Sequence, residues 1–487
     1  MRRFVAILAF VVLAGAAWAG DDPKSIAGDP RIEDAIAAWA AWVENDLGES
    51  GVPAASYAFV HGQEVLASGG IGLADPASGK KADENTLYSI CSISKLFTSI
   101  AVMRLRDAGA LDLDDGIGEH LSWFDSLTDA HPDDEPISIR NVLTHSAGLP
   151  RESDSPYWSG PDFDFPTSEQ IRERLGTQET LYPSGRYFQY SNLGMALLGE
   201  VVAESSGRTW SEVVQQDILA PLGMTDTYTS VPEASETGRL AAGFAARRGS
   251  PERERLGLFD CEGIAPAAGM ASTASNLAKF ARWQLRLRAE GGDQVLRAST
   301  LREMQRVHWV DPDWKTTWGL GFSVVQRDGS TWVRHGGACP GYYTEFAILP
   351  KEELGIIVLT NAIGSNISHY VRKAKAVLAP AAEAATSESD ELPERGADLD
   401  RFTGVYDSVW GRDAIIGWKD GLAVVRLGSR EIDPEVWIQP LKRVEGNVFR
   451  RVRADDESLG EEWIFETDED GQVVSVTAHS FPMHRVR

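Results

Sequence analysis

Between Gly319 and Asn361 the chain gives up helical spacing for short apolar runs cut by turn residues. Phe322–Arg327, Thr331–His335, Tyr342–Leu349 and Gly355–Leu359 each read as a strand. Asp328-Gly329, Gly336 to Gly341 and Pro350 to Glu353 separate them. Connections this short join antiparallel neighbours, so the segment predicts a meander, closed by a helix near 366–378. At the other end, Ala55–Val60 and Glu64–Ser68 form a strand pair around His61-Gly62. It follows a helix over 31–46 with Ile32, Ile36, Trp39 and Val43 at helical spacing. The stretch between is mostly helical, with patterns at Ser92–Ala108, Gly194–Ser205 and Ser275–Arg288. This layout predicts the α/β (α+β) class: an antiparallel sheet whose N- and C-terminal strands pair, flanked by helices, with an inserted helical subdomain.

At 379–398 the composition turns to Ala, Pro, Glu, Ser and Asp, the chemistry of a linker. From Arg401-Phe402-Thr403-Gly404-Val405-Tyr406 onward, short strands alternate with turns at Lys419-Asp420-Gly421 and Asp468 to Gly471. Residues 399–487 therefore predict a small all-β barrel or sandwich. At the start, Arg2 and Arg3 precede an apolar run from Phe4 to Ala17, and Ala17-Trp18-Ala19 has the small-x-small pattern of a cleavage site. Residues 1–19 read as a signal peptide, which makes the protein exported, periplasmic or extracellular. The run is short for a bilayer span, so no stable membrane anchor is expected after its removal. A net charge of −25 repels nucleic acid, and the expected partner is a small-molecule or peptide substrate.

Cys91, Cys261 and Cys339 allow one disulfide at most; Cys91 and Cys339 read as buried small residues, and a disulfide between the two stays open as an alternative. Neither Cys-x-x-Cys nor His-Glu-x-x-His spacing occurs, so no metal and no cofactor is expected.

The chemistry concentrates in three places. Ser92-Ile93-Ser94-Lys95 opens the second helix, and the i, i+3 spacing puts hydroxyl and amine on one face. A helix start leaves backbone N–H groups unpaired, and burial there lowers a lysine pKa enough for a neutral amine to take the serine proton. Ser78-Gly79-Lys80-Lys81 has the same spacing, but no apolar helix follows it. Tyr190-Ser191-Asn192 precedes the next helix: a tyrosine can shuttle a proton and an asparagine amide can orient a carbonyl, while Ser and Asn also serve as ordinary caps. His335-Gly336-Gly337 lets a substrate backbone lie along a strand, with the Ala338 N–H as an oxyanion donor.

In this order the three motifs resemble the penicillin-recognising serine hydrolases, in the branch of class C β-lactamases, D-alanyl-D-alanine carboxypeptidases, D-aminopeptidases and related esterases. Ile137 to Leu149, Pro221-Leu222-Gly223-Met224 and Gly269-Met270-Ala271-Ser272-Thr273 extend the resemblance over roughly 30–378. It implies a β-lactamase/transpeptidase-like sheet, and a tail similar to the lipocalin-like domain often appended to these enzymes. It also implies Ser92 as nucleophile, Lys95 as base, and Tyr190 as proton relay. Asn192 is then a ligand of the substrate amide, His335 lines the site, and the N–H groups of Ser92 and Ala338 form the oxyanion hole.

His335 stands where many of these enzymes carry Lys, and a neutral imidazole does not offer a permanent charge to a carboxylate. This favours esterase or peptidase activity over efficient β-lactamase activity. A β-lactamase, a D,D-carboxypeptidase and a catalytically silent peptidoglycan-binding homologue stay open as alternatives. His145 lies in the scaffold segment and reads as a packing or hydrogen-bonding residue.

Overall fold

The computed structural model describes residues 25–154, 156–250, 252–387 and 395–486. Helix α1 (Pro30–Ser50) begins at Asp29, whose carboxylate accepts from the Arg31 N–H, and ends at Gly51 in the left-handed conformation. Strands β1 (Ala54–His61) and β2 (Glu64–Asp75) follow, then helices α2 (Ser94–Asp107), α3 (Asn192–Ser206) and α4 (Ala274–Glu290). The meander is β3 (Ser323–Arg327), β4 (Ser330–Cys339), β5 (Tyr342–Leu349) and β6 (Leu354–Thr360), closed by α5 (Ile367–Ser387).

β1 pairs antiparallel with β6 from Ala55↔Thr360 to His61↔Leu354, so the two ends of this region share one sheet, as the strand pattern predicted. Its order is Lys80–Lys81, β2, β1, β6, β5, β4, β3, Thr317–Trp318, Trp309–Val310. Ile357, Leu359 and Phe346 face a core containing Phe97 of α2 and Phe280 of α4. Ile356, Val358 and Phe59 face a second core containing Trp39 of α1 and Tyr370 of α5. Helices on both faces explain why β6 reads as one apolar run without alternation.

Several boundaries differ from the sequence reading; β4, for one, runs through Gly336 and Gly337 to Cys339 instead of stopping at His335. β2 continues past Ser68 to Asp75, because a Cβ on Gly70 would lie 2.3 Å from the Ala82 carbonyl carbon; the glycine admits a crossing chain instead of ending the strand. The composition change at 379 does not begin a linker. α5 runs through Pro380 to Ser387, because Ala382 and Ala385 still bury against the α1 side of the sheet. Residues 388–394 and the leader at 1–19 lie outside the described residues. Among the described residues no helix is long and apolar enough to cross a membrane.

The C-terminal segment is a closed barrel of eight strands: β7 (Gly404–Ser408), β8 (Gly411–Trp418), β9 (Gly421–Arg426), β10 (Ile438–Glu445), β11 (Val448–Val452), β12 (Leu459–Thr467), β13 (Val473–Ala478) and β14 (Phe481–Arg485). It seats on α1. Trp42 Nε1 donates to the Ser429 carbonyl (2.8 Å), and Asp34 accepts from Arg395 (2.9 Å) and from the Lys419 N–H (2.6 Å). The buried Asp46 pairs with Arg430 and also accepts from Tyr370 Oη (2.7 Å) and Asn366 Nδ2 (2.9 Å).

Asp46→Ala leaves Tyr370 and Asn366 without their shared acceptor. We predict a loss of about 2 kcal/mol, read as a lower denaturant midpoint. An unchanged midpoint would show that the Asp46 cluster does not hold the barrel to the sheet.

Candidate active site

The chain reaches the site along Tyr88–Ser89, which pairs with Ala271–Ser272, and the Ile90 N–H bonds the Met270 carbonyl at 2.9 Å. It then tightens into a 3₁₀ turn, Cys91–Ile93, before α2 proper begins at Ser94, so the predicted helix start is one tight turn. Cys91 sits at φ 49°, an uncommon conformation for a residue with a side chain.

Three contacts hold it there. Cys91 is disulfide-bonded to Cys339, 248 residues away, the pairing that the sequence left open. Thr344 Oγ1 donates to the Ile90 carbonyl (3.1 Å), and Ser94 Oγ to the Cys91 carbonyl (2.6 Å). Gly337 packs on the same turn: a Cβ there would lie 2.3 Å from the Ile90 oxygen. Ser92 follows one end of the disulfide and Ala338 precedes the other, so the cross-link ties together the two residues expected to supply oxyanion donors.

Lys95 is fully buried, and its Nζ lies 3.1 Å from Ser92 Oγ, 2.7 Å from Asn192 Oδ1 and 2.9 Å from the Ala267 carbonyl. Burial pulls its pKa down to about 7; the nearby Glu152 carboxylate opposes the shift and Arg151 adds to it. A neutral amine has two N–H donors and one lone pair. Asn192 and Ala267 offer acceptors for both donors, which leaves the lone pair for the Ser92 hydroxyl.

Tyr190 faces the Ser92 hydroxyl, with Lys95 Nζ 4.8 Å from its ring centre. Burial pushes the phenol well above its ordinary range, so it stays protonated and acts as a donor. His145 lies under it, ring centres 4.3 Å apart, and its Nδ1 accepts from the Ser191 N–H (3.2 Å). This is the packing and hydrogen-bonding role expected, and it fixes the loop that carries Tyr190. Ser191 caps α3 by accepting from the Gly194 N–H (2.8 Å).

Both amide atoms of Asn192 have partners within the protein. Its Oδ1 is held by Lys95, and its Nδ2 donates to Glu152 Oε1 (2.7 Å), so the side chain orients the Lys95 amine. Glu152 also accepts from Tyr157 Oη (2.5 Å) and pairs with Arg151 Nε (3.3 Å). His335 Nδ1 donates to the Gly336 carbonyl (2.7 Å), which leaves Nε2 as an acceptor in the groove. Burial lowers its pKa to about 3, with Lys95 adding to the shift, so it is neutral near pH 7.

Ser92, Tyr190, His335, Gly336, Gly337 and Ala338 line one groove of about 420 Å³. Arg151, Trp318 and Tyr343 are among its other lining residues, and no sequence signal marked them. Ser78 lies in an exposed turn and Lys81, the lysine three residues on, is exposed on the edge of the sheet; neither lines the groove. Cys261 is a buried thiol whose pKa burial pushes up, so it stays protonated.

A sequence model described as Beta-lactamase matches residues 39–379. The chain is 27% identical to a human protein named putative beta-lactamase-like 1, over 92% of this chain and 90% of that one. It is 26% identical to the D-alanyl-D-alanine-carboxypeptidase/endopeptidase AmpH of Escherichia coli K12, over 58% of this chain and 73% of that one. The octameric penicillin-binding protein homologue from Pyrococcus abyssi superposes with a TM-score of 0.63 at 21% identity, covering 92% of this chain and 99% of that one.

If neutral Lys95 is the base, phosphonylation of Ser92 by a fluorophosphonate slows as pH falls through about 7, where the amine takes up a proton. Glu152→Gln removes a charge that favours the ammonium, so this limb moves to lower pH. A limb that stays in place in Glu152→Gln counts against the assignment.

Proposed function

The chain belongs to the beta-lactamase family, whose members are serine hydrolases, and from that premise we propose an exported esterase or peptidase that acts through an acyl-Ser92 ester. The observation that supports it most is the buried Lys95 amine 3.1 Å from Ser92 Oγ, its pKa drawn down to about 7. Ser92 Oγ attacks the acyl carbonyl as its proton passes to Lys95 Nζ. The oxyanion sits between the N–H groups of Ser92 and Ala338. As the tetrahedral intermediate collapses, the leaving group takes a proton from Lys95 through Tyr190 Oη. Water then attacks the ester by the reverse route, with Lys95 again the base.

His335 shapes the substrate reading. A neutral imidazole with a free Nε2 accepts a hydrogen bond from a substrate N–H or O–H and gives no charge to a carboxylate. One observation favours a second reading, a peptide with a free carboxylate: the Arg151 guanidinium is 61% exposed at the groove, 5.0 Å from the Tyr190 ring centre. The basic head, apolar run and Ala17-Trp18-Ala19 support export.

A panel of nitrophenyl esters, nitrocefin and D-amino-acid peptides tests the reading. We predict turnover of esters or peptides well above nitrocefin, and a loss of about a thousandfold or more in Ser92→Ala. Equal labelling of wild type and Ser92→Ala by a fluorophosphonate would remove Ser92 as nucleophile. Export predicts a secreted protein whose N-terminal residue on sequencing is Gly20; a retained Met1 would contradict it.

A further inference from the structure

The C-terminal barrel carries two cavities, one of about 750 Å³ around Trp418, Leu441 and Arg453 and one of about 920 Å³ around Trp410 and Phe481, with Gln439 and Arg451 lining both. Phe402, Phe449 and Phe465 pack against one another in the apolar core of the barrel. The cavity of about 920 Å³ opens between β8, β9, β10, β11, β12 and the β13–β14 turn, and the carboxylate residues Glu49 of α1 and Glu431 also stand on its wall. This cavity is separate from the groove that holds Ser92, and the two share no lining residue.

Its wall is a sequence of rings. Trp410, 79% exposed, lies 6.4 Å from Phe481; Phe481 lies 6.1 Å from His479, and His479 6.2 Å from Trp463. Trp463 is only 3% exposed, so the series runs from solvent to the cavity floor beside Met483.

The polar groups are unevenly matched. Arg412 is taken by Asp407 (3.1 Å), Arg430 by Asp46 and His479 by Glu461. Asp413 stands opposite Arg426 across β8 and β9. Burial raises its carboxyl to about 6, with Arg426 and His479 opposing the rise. Two donors are left over: the Trp463 Nε1–H and the Arg451 Nε–H are both buried with no hydrogen-bond partner among the described residues. Unpaired buried donors, one on a guanidinium, carry a desolvation penalty that an incoming acceptor relieves.

We propose that the cavity beside Trp410 and Phe481 is a second ligand site, which takes a flat apolar carboxylate, its carboxylate on Arg451 and Trp463 Nε1 and its apolar face against Phe481 and Trp410. Aromatic walls favour a planar group through offset and edge contacts. The charged donor selects an anion over its neutral counterpart, because a neutral ligand leaves the guanidinium less well matched.

Calorimetric titration of the full-length mature protein with 2-naphthoate tests the proposal, with neutral 2-naphthamide as the comparison. The expected result is one site per chain, with naphthoate at least tenfold tighter than naphthamide. Arg451→Met and the near-isosteric Trp463→Phe each weaken naphthoate tenfold or more at unchanged melting temperature, while Arg151→Gln in the catalytic groove leaves it as in wild type. Absence of saturable binding, equal affinity for the two compounds, or a loss in Arg151→Gln but not in Arg451→Met would overturn the proposal. The comparison of the two ligands on wild type stands even where a variant fails to fold.

Discussion

The catalytic arrangement depends on burying one amine without giving it a counter-ion. Lys95 touches three oxygens, the Ser92 hydroxyl, the Asn192 amide and the Ala267 carbonyl, and none is a carboxylate. A charged ammonium in that setting is poorly solvated, so burial favours the free base. Glu152 is held one step back by Asn192, Tyr157 and Arg151, near enough to oppose the shift and too far to pair with the amine. The neighbouring groups suit a neutral base as well. Tyr190 keeps its proton and His335 has none to give near pH 7, so Lys95 is the group that changes charge there.

The second constraint is backbone placement. The 3₁₀ turn with Cys91 in the left-handed region points Ser92 into the groove, and a strained residue persists only where its surroundings over-determine it. Here the disulfide to Cys339, the close approach of Gly337 and the Thr344 hydroxyl do so together. The same contacts hold β4 against the turn that carries Ser92, so one set of interactions fixes both sides of the expected oxyanion hole.

Much of this was legible in the sequence because it is local. Ser92 and Lys95 lie one turn apart, the turns of the meander announce β3 to β6, and apolar spacing marks α1, α2 and α4. What was not legible depends on distant chain. Glu152 and Arg151 follow a scaffold motif and carry no pattern of their own; their roles exist only because that loop folds over α3. The Cys91–Cys339 pair spans 248 residues, beyond any spacing argument. The role of Asn192 turned on which way a short amide points, and the structure directs it to Lys95 and Glu152. The helix through Ser387 defeated composition, because two alanines in an apparent linker bury against the sheet side that α1 covers.

Direct titration of Lys95 tests the account at its centre. In protein labelled with 13C at the lysine ε-carbon, the Lys95 resonance is identified by its absence from Lys95→Arg. The account predicts a midpoint near 7, where the amine is free to accept the Ser92 proton. A midpoint near the ordinary lysine value of about 10 would mean a charged ammonium beside Ser92, and would contradict the assignment of Lys95 as the base.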